Sequence, residues 1–194
     1  ADQGADVWGI DISPPTLVGA RRNFAERTLR AVVADVRAVP FAAGSFDAIY
    51  SMGTVEHFPE TEAAVRELAR LLAPGGRLIL GVPNRHDPFL RPLVVAWLQR
   101  LGMYAYGDEK CYSRAELHAL LSQAGLEITG DCGVLFMPGV LRLADLWLHT
   151  RQPRWAWLCR PWIAVFDWIT ARWPQLTRHG YLIAAVGTRR ATAR

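Results

Sequence analysis

The sequence predicts an α/β fold with a doubly wound, mostly parallel sheet and helices on both faces. Two observations carry this prediction. Short apolar runs alternate with amphipathic helical segments through short connections, which is the order of a parallel sheet with crossover helices. Polar residues also follow three of the runs, at Asp11, Asp35 and Ser51. In an open parallel sheet such strand tips share the edge where ligands bind.

Four apolar runs predict the strands of the first part of the chain, over residues 7–10, 31–34, 47–51 and 77–82. Ser13 can cap a helix that has Pro14 or Pro15 in its first turn. Residues 61–72 place apolar side chains on one helical face and charged ones on the other. The Pro-Gly-Gly run at 74–76 is expected to end that helix.

The second part of the chain continues this pattern and then interrupts it. Ser113 and Glu116 are spaced as a capping box, which predicts the start of a further helix. Residues 127–136 and 181–188 look like the last two strands. Between them lies the segment 137–179, whose composition is unlike the rest. Within it, Pro161 is well placed to begin a helix.

Composition limits the function classes. With 194 residues, 51% hydrophobic and 21% charged, the chain reads as one globular domain. Cys111, Cys132 and Cys159 are scattered without a CxxC pair, so we expect no disulfide framework, no metal site and a cytoplasmic location. No apolar run approaches the length of a membrane span. The first residue is Ala and no leader-like segment opens the chain.

The charge is distributed unevenly. The net charge is +4, yet residues 142–194 carry nine arginines against Asp145 and Asp167 only, and they hold six of the eight tryptophans. A basic end can indicate nucleic acid or an anionic membrane, or it can be a solvated arginine-rich surface.

Three motifs occur in one register: GIDIS at 9–13, VVADVRAVPFAAGSFDAIYSMGTVEHF at 32–58 and RLLAPGGRLILGVPN at 70–84. In order and spacing they resemble the second half of a class I S-adenosylmethionine-dependent methyltransferase, closest to its small-molecule and quinone-type group. The resemblance covers roughly residues 5–84 well and is weaker beyond. It implies a Rossmann-like sheet that ends in an antiparallel strand.

The resemblance also implies which residues bind the cofactor, S-adenosylmethionine. Asp11 would accept both ribose hydroxyls, and Ile12 would pack on the adenine. Asp35 and Val36 would meet the adenine edge, and Ser51 would lie where the backbone approaches the methionine part. Each has a plainer interpretation: Asp11 as a helix-capping acid, Asp35 as a turn residue and Ser51 as an ordinary strand end.

His57 is the candidate catalytic residue. It follows the strand that ends at Ser51, and a neutral imidazole there could remove a proton from an acceptor hydroxyl or carbon acid. The alternative is a histidine packed on the following helix and hydrogen-bonded to the backbone. Methyl transfer can also proceed by alignment alone, because the sulfonium methyl is already activated.

The resemblance places one further strand and a glycine-rich loop before residue 1, between the strands that end at Asp11 and Ser51. Without it, those two strands would lie ~9–10 Å apart, which is two pairing distances. We therefore expect Asp11 to be half of a site whose glycine loop lies outside this sequence. The sequence would then be a fragment or a damaged copy.

We expect a single domain over 1–194, divided by two insertions. Residues 1–84 form the cofactor half, 85–112 a lid-like insertion and 113–136 a helix and strand. Residues 137–179 form a second, Trp/Arg-rich helical insertion, and 180–188 the last strand. The second insertion could lie on anionic lipid at the inner face of a membrane, through 141–173. It could also roof a pocket for the acceptor, or pack on the sheet as core. Nucleic acid is the least favoured partner, since the arginines form no groove pattern.

The resulting hypothesis is methyl transfer from S-adenosylmethionine to O or C of a small hydrophobic or lipid-associated acceptor, such as a prenylated quinone. A sugar or polysaccharide precursor is the alternative acceptor. A further alternative is an inactive methyltransferase-like module that docks on a membrane or a partner. A nicotinamide-dependent oxidoreductase also uses an acid like Asp11, but the PGG turn and the late strand fit it poorly.

Overall fold

The computed structural model describes residues 4–23, 30–104 and 107–191. The strands are β1 (Trp8–Asp11), β2 (Arg30–Val33), β3 (Phe46–Met52), β4 (Leu72–Pro83), β5 (Leu126–Val134) and β6 (Leu182–Arg189). The helices are α1 (Pro14–Asn23), α2 (Thr61–Leu71), α3 (Arg91–Arg100), α4 (Arg114–Gln123), α5 (Gly139–Arg151) and α6 (Arg160–Arg172). Short 3₁₀ turns occupy Val55–His57, Pro153–Leu158 and Pro174–His179. Within the described ranges, no helix is long and apolar enough to span a bilayer.

The strands confirm the predicted mixed α/β topology. β1 and β2 pair in parallel, and β3 and β4 pair in parallel. β6 lies between β4 and β5 and is antiparallel to both, so the larger sheet has the order β3-β4-β6-β5. β1 and β3 are not hydrogen-bonded neighbours, and they belong to separate sheets. This separation is the arrangement expected when no strand pairs with both of them.

Three aromatic rings connect the two sheets. The Trp8 ring, at the start of β1, lies 5.1 Å from that of Phe41 in an edge-to-face contact. Phe41 makes the same kind of contact, also at 5.1 Å, with Phe46 at the start of β3. Edge-to-face pairs at this distance are favourable. The amino ends of β1 and β3 are therefore held together by side chains rather than by a backbone ladder.

β4 begins earlier than the sequence suggests. The expected strand over 77–82 starts instead at Leu72, directly after α2, and it runs through Pro74, Gly75 and Gly76. The register with β3 shifts here, because Phe46 pairs with Leu72 whereas Ala48 pairs with Arg77. The Pro-Gly-Gly run is therefore an irregular segment inside the strand rather than the end of the helix.

The core lies on one face of the larger sheet. Leu78, Leu80 and Val82 of β4 alternate towards this face and are fully buried. Ile183 and Ala185, their neighbours on β6, share it. α2 and α4 cover the face with their own buried side chains, Ala64, Val65, Leu68, Leu117, Leu120 and Leu121. On the opposite face, Tyr50 of β3 is largely exposed. Ser113 caps α4 with the full predicted capping box to Glu116.

The 137–179 insertion leaves and rejoins the sheet at one point. Val134, at the end of β5, pairs with Leu182 at the start of β6. The backbone approaches itself closely here: a Cβ atom on Gly133 would overlap the carbonyl oxygen of Thr177, and one on Gly180 would overlap that of Val134. The turn that ends the insertion therefore lies directly on β5.

We predict that Gly133→Ala lowers the free energy of unfolding by about 1–3 kcal/mol, because the added methyl group would collide with backbone that cannot move aside as a side chain would. Gly130→Ala on the same strand is the matched control, since its Cβ would meet Val186 Cγ2 at an ordinary 3.8 Å. Urea unfolding of both variants measures the difference. Equal stability of the two variants would contradict the close approach.

Candidate active site

The predicted site residues lie at or close to strand ends, in two separate parallel strand pairs. β1 ends at Asp11 and β3 at Met52, one residue past Ser51. β4 runs beside β3 in parallel and ends at Pro83. The Val55–His57 turn follows the tip of β3, and residues 108–112 return from the first insertion to meet it. The site is therefore built from three strand tips and one returning segment.

Asp11 forms a turn immediately before α1 and keeps one oxygen available. Its Oδ1 accepts a hydrogen bond of 2.7 Å from the backbone N–H of Ser13, just before α1. No described residue donates a hydrogen bond to Oδ2. Asp11 therefore does not cap α1 itself, and the turn to Ser13 and a contact with a ligand are compatible because each uses a different oxygen. Ile12 beside it is 63% exposed, which leaves an apolar surface open next to the free oxygen.

Both carboxylate oxygens of Asp35 are hydrogen-bonded to Arg37. Its two carboxylate oxygens accept hydrogen bonds from Arg37 Nε and Nη2, and Oδ1 also accepts from the Arg37 backbone N–H. These hydrogen bonds lower the pKa of Asp35, so the group stays ionised. Arg37 in turn bonds Glu60 and lies over the Phe58 ring. The Val36 side chain packs against the hydrophobic core, so only its backbone could face a ligand.

Ser51 lies one residue before the end of the parallel β3–β4 pair, opposite Leu80, and is half-buried. Its neighbour Met52 packs directly over β4, where a Cβ atom on Gly81 would overlap the Met52 thioether. Because residue 81 is a glycine, the Met52 side chain can pack across β4 near the end of that strand. Ser51 is positioned at the edge where the resemblance places it.

His57 is held by the returning segment of the first insertion. Its Nδ1 lies 2.8 Å from the backbone carbonyl oxygen of Asp108. A carbonyl oxygen can only accept, so Nδ1 carries the proton and Nε2 of the neutral ring keeps its lone pair. The backbone interpretation of this histidine is correct for Nδ1. The same hydrogen bond sets Nε2 as the atom that could accept a proton.

Glu56 is an acid that the sequence analysis did not single out. It is 3% exposed, and its Oε2 has no hydrogen-bond partner among the described residues. Burial raises its pKa from 4.5 to about 7, against an opposing effect of its own backbone N–H and of His57. Its backbone carbonyl accepts a hydrogen bond from Lys110, two residues beyond Asp108. A carboxyl group able to hold a proton near neutral pH thus adjoins His57.

Behind these residues lies a buried ion pair. Arg91 of α3 is 5% exposed and donates to Glu109 over 2.5 Å. The hydroxyl of Tyr104 donates to the other oxygen of Glu109, also over 2.5 Å. Burial and this hydrogen bond hold the pKa of Tyr104 above its usual range. The Arg91 guanidinium also stacks 4.2 Å from the Tyr181 ring at the start of β6. Through the contact between Arg91 and Tyr181, this cluster attaches the first insertion to the segment just before β6.

Comparison with known proteins identifies this arrangement. A family model described as a methyltransferase domain matches residues 1–80. A ubiquinone biosynthesis O-methyltransferase from Xanthomonas axonopodis is 36% identical over 145 residues, covering 70% of this chain and 59% of that protein. A demethylmenaquinone methyltransferase from Thermus thermophilus is 46% identical over 79 residues, covering 40% of this chain and 36% of that protein.

The methyltransferase-domain match over residues 1–80 and the named relatives support membership of the class I S-adenosylmethionine-dependent methyltransferases. Among solved structures, a SAM-dependent methyltransferase from Thermotoga maritima superposes with a TM-score of 0.64 at 18% identity, covering 95% of this chain and 73% of that one. The [4+2]-cyclase SpnF gives 0.59 at 18% identity, covering 96% and 66%. At such identities the likeness shows the fold alone, and one fold can serve several chemistries. The chain spans 59% of the length of the first O-methyltransferase relative.

S-adenosylmethionine, the methyl donor of this family, fits the residues at the β1 tip. The free Oδ2 of Asp11 can accept a ribose hydroxyl while Oδ1 retains its hydrogen bond from the Ser13 N–H. The exposed Ile12 offers an apolar face for the adenine. Asp35 fits less simply, because an adenine amino group would have to share its oxygens with Arg37. Asp11 and Ile12 are therefore the described residues that could hold the ribose and the adenine.

Glu56 and the buried cluster around Arg91 were not identified from the sequence as candidate site residues. Glu56 adjoins His57 in the VEHF motif and, judged by residue type alone, would be an exposed acid on a loop. It is buried because residues 108–112 of the first insertion fold over the turn, a contact across more than fifty residues. Arg91, Tyr104 and Glu109 contact one another within the first insertion, at separations of 5 to 18 residues. Their spacing within 85–112 gives no periodic pattern that would reveal the cluster.

We predict that Glu56 makes the protein less stable as pH rises from about 4.5 to about 7. Its pKa is higher in the folded than in the unfolded chain, so the folded state binds the proton more tightly and its advantage disappears as pH rises through the folded pKa. The loss should reach about 3 kcal/mol and stay constant above pH 7. Glu56→Gln should remove this slope in urea unfolding across the pH range, with Glu62→Gln, an exposed acid on α2, as control. An unchanged slope in Glu56→Gln would contradict the shifted pKa.

Proposed function

We propose that this protein methylates a hydroxyl group on a small hydrophobic ring of the quinone type, with S-adenosylmethionine as donor. The observation that carries the proposal is the orientation of His57, whose Nε2 lone pair is fixed beside the strand tips by the hydrogen bond from Nδ1 to Asp108. The relatives named as quinone methyltransferases support the acceptor class.

Transfer to oxygen is favoured over transfer to carbon by the length of the matches. The O-methyltransferase match covers 70% of the chain and so extends beyond residues 1–84 into the parts that contact an acceptor. The demethylmenaquinone match covers only 40%, a length that the cofactor half alone could account for. The longer match is the one that includes insertion sequence.

The chemistry needs one proton acceptor. When bound, S-adenosylmethionine supplies an electrophilic methyl group on a sulfonium sulfur. His57 Nε2 would take the proton of the acceptor hydroxyl as the new oxygen–carbon bond forms and the carbon–sulfur bond breaks. The charge balances, because the sulfonium becomes a neutral thioether and the imidazole becomes a cation. Glu56, buried beside it, would stabilise that cation once ionised.

One assay distinguishes the proposed acceptor from the two alternatives, a sugar acceptor and an inactive docking module. Labelled S-adenosylmethionine is incubated with the intact protein and a short-chain hydroxyquinone, the same ring with its hydroxyl already methylated, or a sugar. We expect label transfer to the first acceptor only. Transfer to the sugar instead would overturn the acceptor class. Failure of the intact protein to bind the donor would favour an inactive docking module.

Asp11→Asn should weaken S-adenosylmethionine binding by about 10- to 100-fold, as expected for removing the charge from a hydrogen-bonded pair. Asparagine can still accept the N–H of Ser13 and so preserves the turn before α1. Asp6→Asn, an exposed acid paired with Arg30, is the control and should bind normally. Calorimetric titration measures both variants. Equal affinity of Asp11→Asn and the parent protein would exclude Asp11 from the site.

His57→Gln should lower kcat by roughly 10²-fold or more while donor affinity stays unchanged. A glutamine amide can still donate to the Asp108 carbonyl, so the loop geometry is preserved while the basic nitrogen is lost. The acidic limb of the rate–pH profile should also disappear. His179→Gln, an exposed histidine, is the control. If His57→Gln kept both its rate and its pH profile, transfer would rest on alignment alone.

A further inference from the structure

The 137–179 insertion exposes every one of its tryptophans. They are Trp147, Trp155, Trp157, Trp162, Trp168 and Trp173, with exposed fractions between 41% and 64%. Indole rings are among the costliest side chains to leave in water, and soluble monomers rarely group them on one surface. Since no residue of the described segment 137–179 belongs to the main hydrophobic core cluster, this exposure needs a separate explanation.

α6 is the centre of this surface. None of its thirteen residues is buried, so the expectation that the insertion completes the core is wrong for this helix. Ile163, Phe166 and Ile169 are partly covered, and Phe166 contacts Phe89 of the first insertion at 5.8 Å. Trp162, Val165 and Trp168 project on the outer side, at 64%, 49% and 62% exposure. An amphipathic helix that lies in a membrane interface presents such a face.

The charge of the insertion helps to decide whether a lipid surface or an apolar protein groove covers this face. Residues 137–179 carry six arginines against Asp145 and Asp167. Asp145 is buried and accepts from Arg142 at 3.0 Å, while its backbone carbonyl pairs with His149 Nδ1 at 2.9 Å, which removes this acid from the surface. Asp167 lies on the side of α6 opposite Val165. The insertion therefore carries a net positive charge, and Asp167 is the one exposed acid among its residues, all of which the structure describes.

Two arginines lie directly beside the exposed rings. The Arg154 guanidinium is 5.8 Å from the Trp155 ring centroid, and that of Arg172 is 5.6 Å from Trp173. Arginine next to indole is suited to the headgroup region, where the ring enters the acyl boundary and the guanidinium meets lipid phosphate. An apolar protein groove would accept the rings but would leave these charges without partners.

We propose that the outer face of the 137–179 insertion docks this protein on an anionic lipid surface, with Trp162, Val165 and Trp168 entering the headgroup region. The surface is tied to the first insertion through Phe166 and Phe89, so docking would hold the acceptor side of the domain near the bilayer. The inference does not depend on methyl transfer, and its test uses neither donor nor acceptor.

The test is flotation of the full chain with phosphatidylcholine vesicles and with vesicles that also contain phosphatidylglycerol. We expect binding to the anionic vesicles, with a blue shift of tryptophan emission. Trp162→Gln/Trp168→Gln should reduce partitioning at least about tenfold through lost apolar burial. Arg154→Gln/Arg172→Gln should reduce it roughly 25-fold, at about fivefold per arginine. Arg22→Gln/Arg66→Gln removes the same charge from exposed positions on α1 and α2, and it should bind as the parent does.

Circular dichroism and thermal unfolding of each variant establish that it is folded. The proposal is overturned if folded Trp162→Gln/Trp168→Gln protein floats like the parent, or if both arginine pairs weaken binding equally. It is also overturned if the parent ignores anionic vesicles. Should the parent then form a dimer in sedimentation that the tryptophan variant lacks, the face would be an interface between copies of this chain.

Discussion

The buried guanidinium of Arg91 is the interaction on which both insertions depend. It belongs to the first insertion and is neutralised by Glu109 of the same insertion, while it stacks on Tyr181 of the sheet. Its aliphatic stem lies 3.4 Å from the position of a Cβ atom on Gly139, where the second insertion starts. An ion buried without its partner costs several kcal/mol, so the guanidinium and its neighbours form as one unit.

This unit reaches the candidate chemistry through the chain itself. Glu109 is flanked by Asp108, which accepts from His57, and by Lys110, which donates to the backbone of Glu56. Three consecutive residues thus contribute a buried counter-ion, an orienting carbonyl and a backbone donor. The tautomer of His57 is consequently set by how the first insertion folds, and not by the sheet that carries the histidine. The position of the first insertion therefore determines the geometry around His57.

The cofactor edge could be predicted from the sequence because its signals are local. Asp11 is the last residue of its strand and precedes α1 by three residues, and Ser51 is the residue before the last of β3. The start of β4 was misplaced since Pro-Gly-Gly ordinarily ends regular structure, whereas here it forms an irregular segment paired beside β3. Glu56 and the Arg91 cluster depend on contacts between distant segments. Asp35 was predicted as a ligand, although Arg37 only two residues away already occupies its oxygens.

The backbone geometry at the base of the second insertion bears on how such domains diversify. Val134 and Leu182 are paired neighbours, and the Tyr181 N–H bonds the Leu135 carbonyl, so the chain departs and returns across a single strand spacing. A loop whose ends already meet adds only a slowly growing entropic cost as it lengthens. Replacement of everything between these two residues would leave the ladder of β5 and β6 intact. The segment 137–179, with the membrane docking proposed for it, could thereby be replaced as a unit during evolution. The half of the domain proposed to bind the methyl donor would then evolve separately.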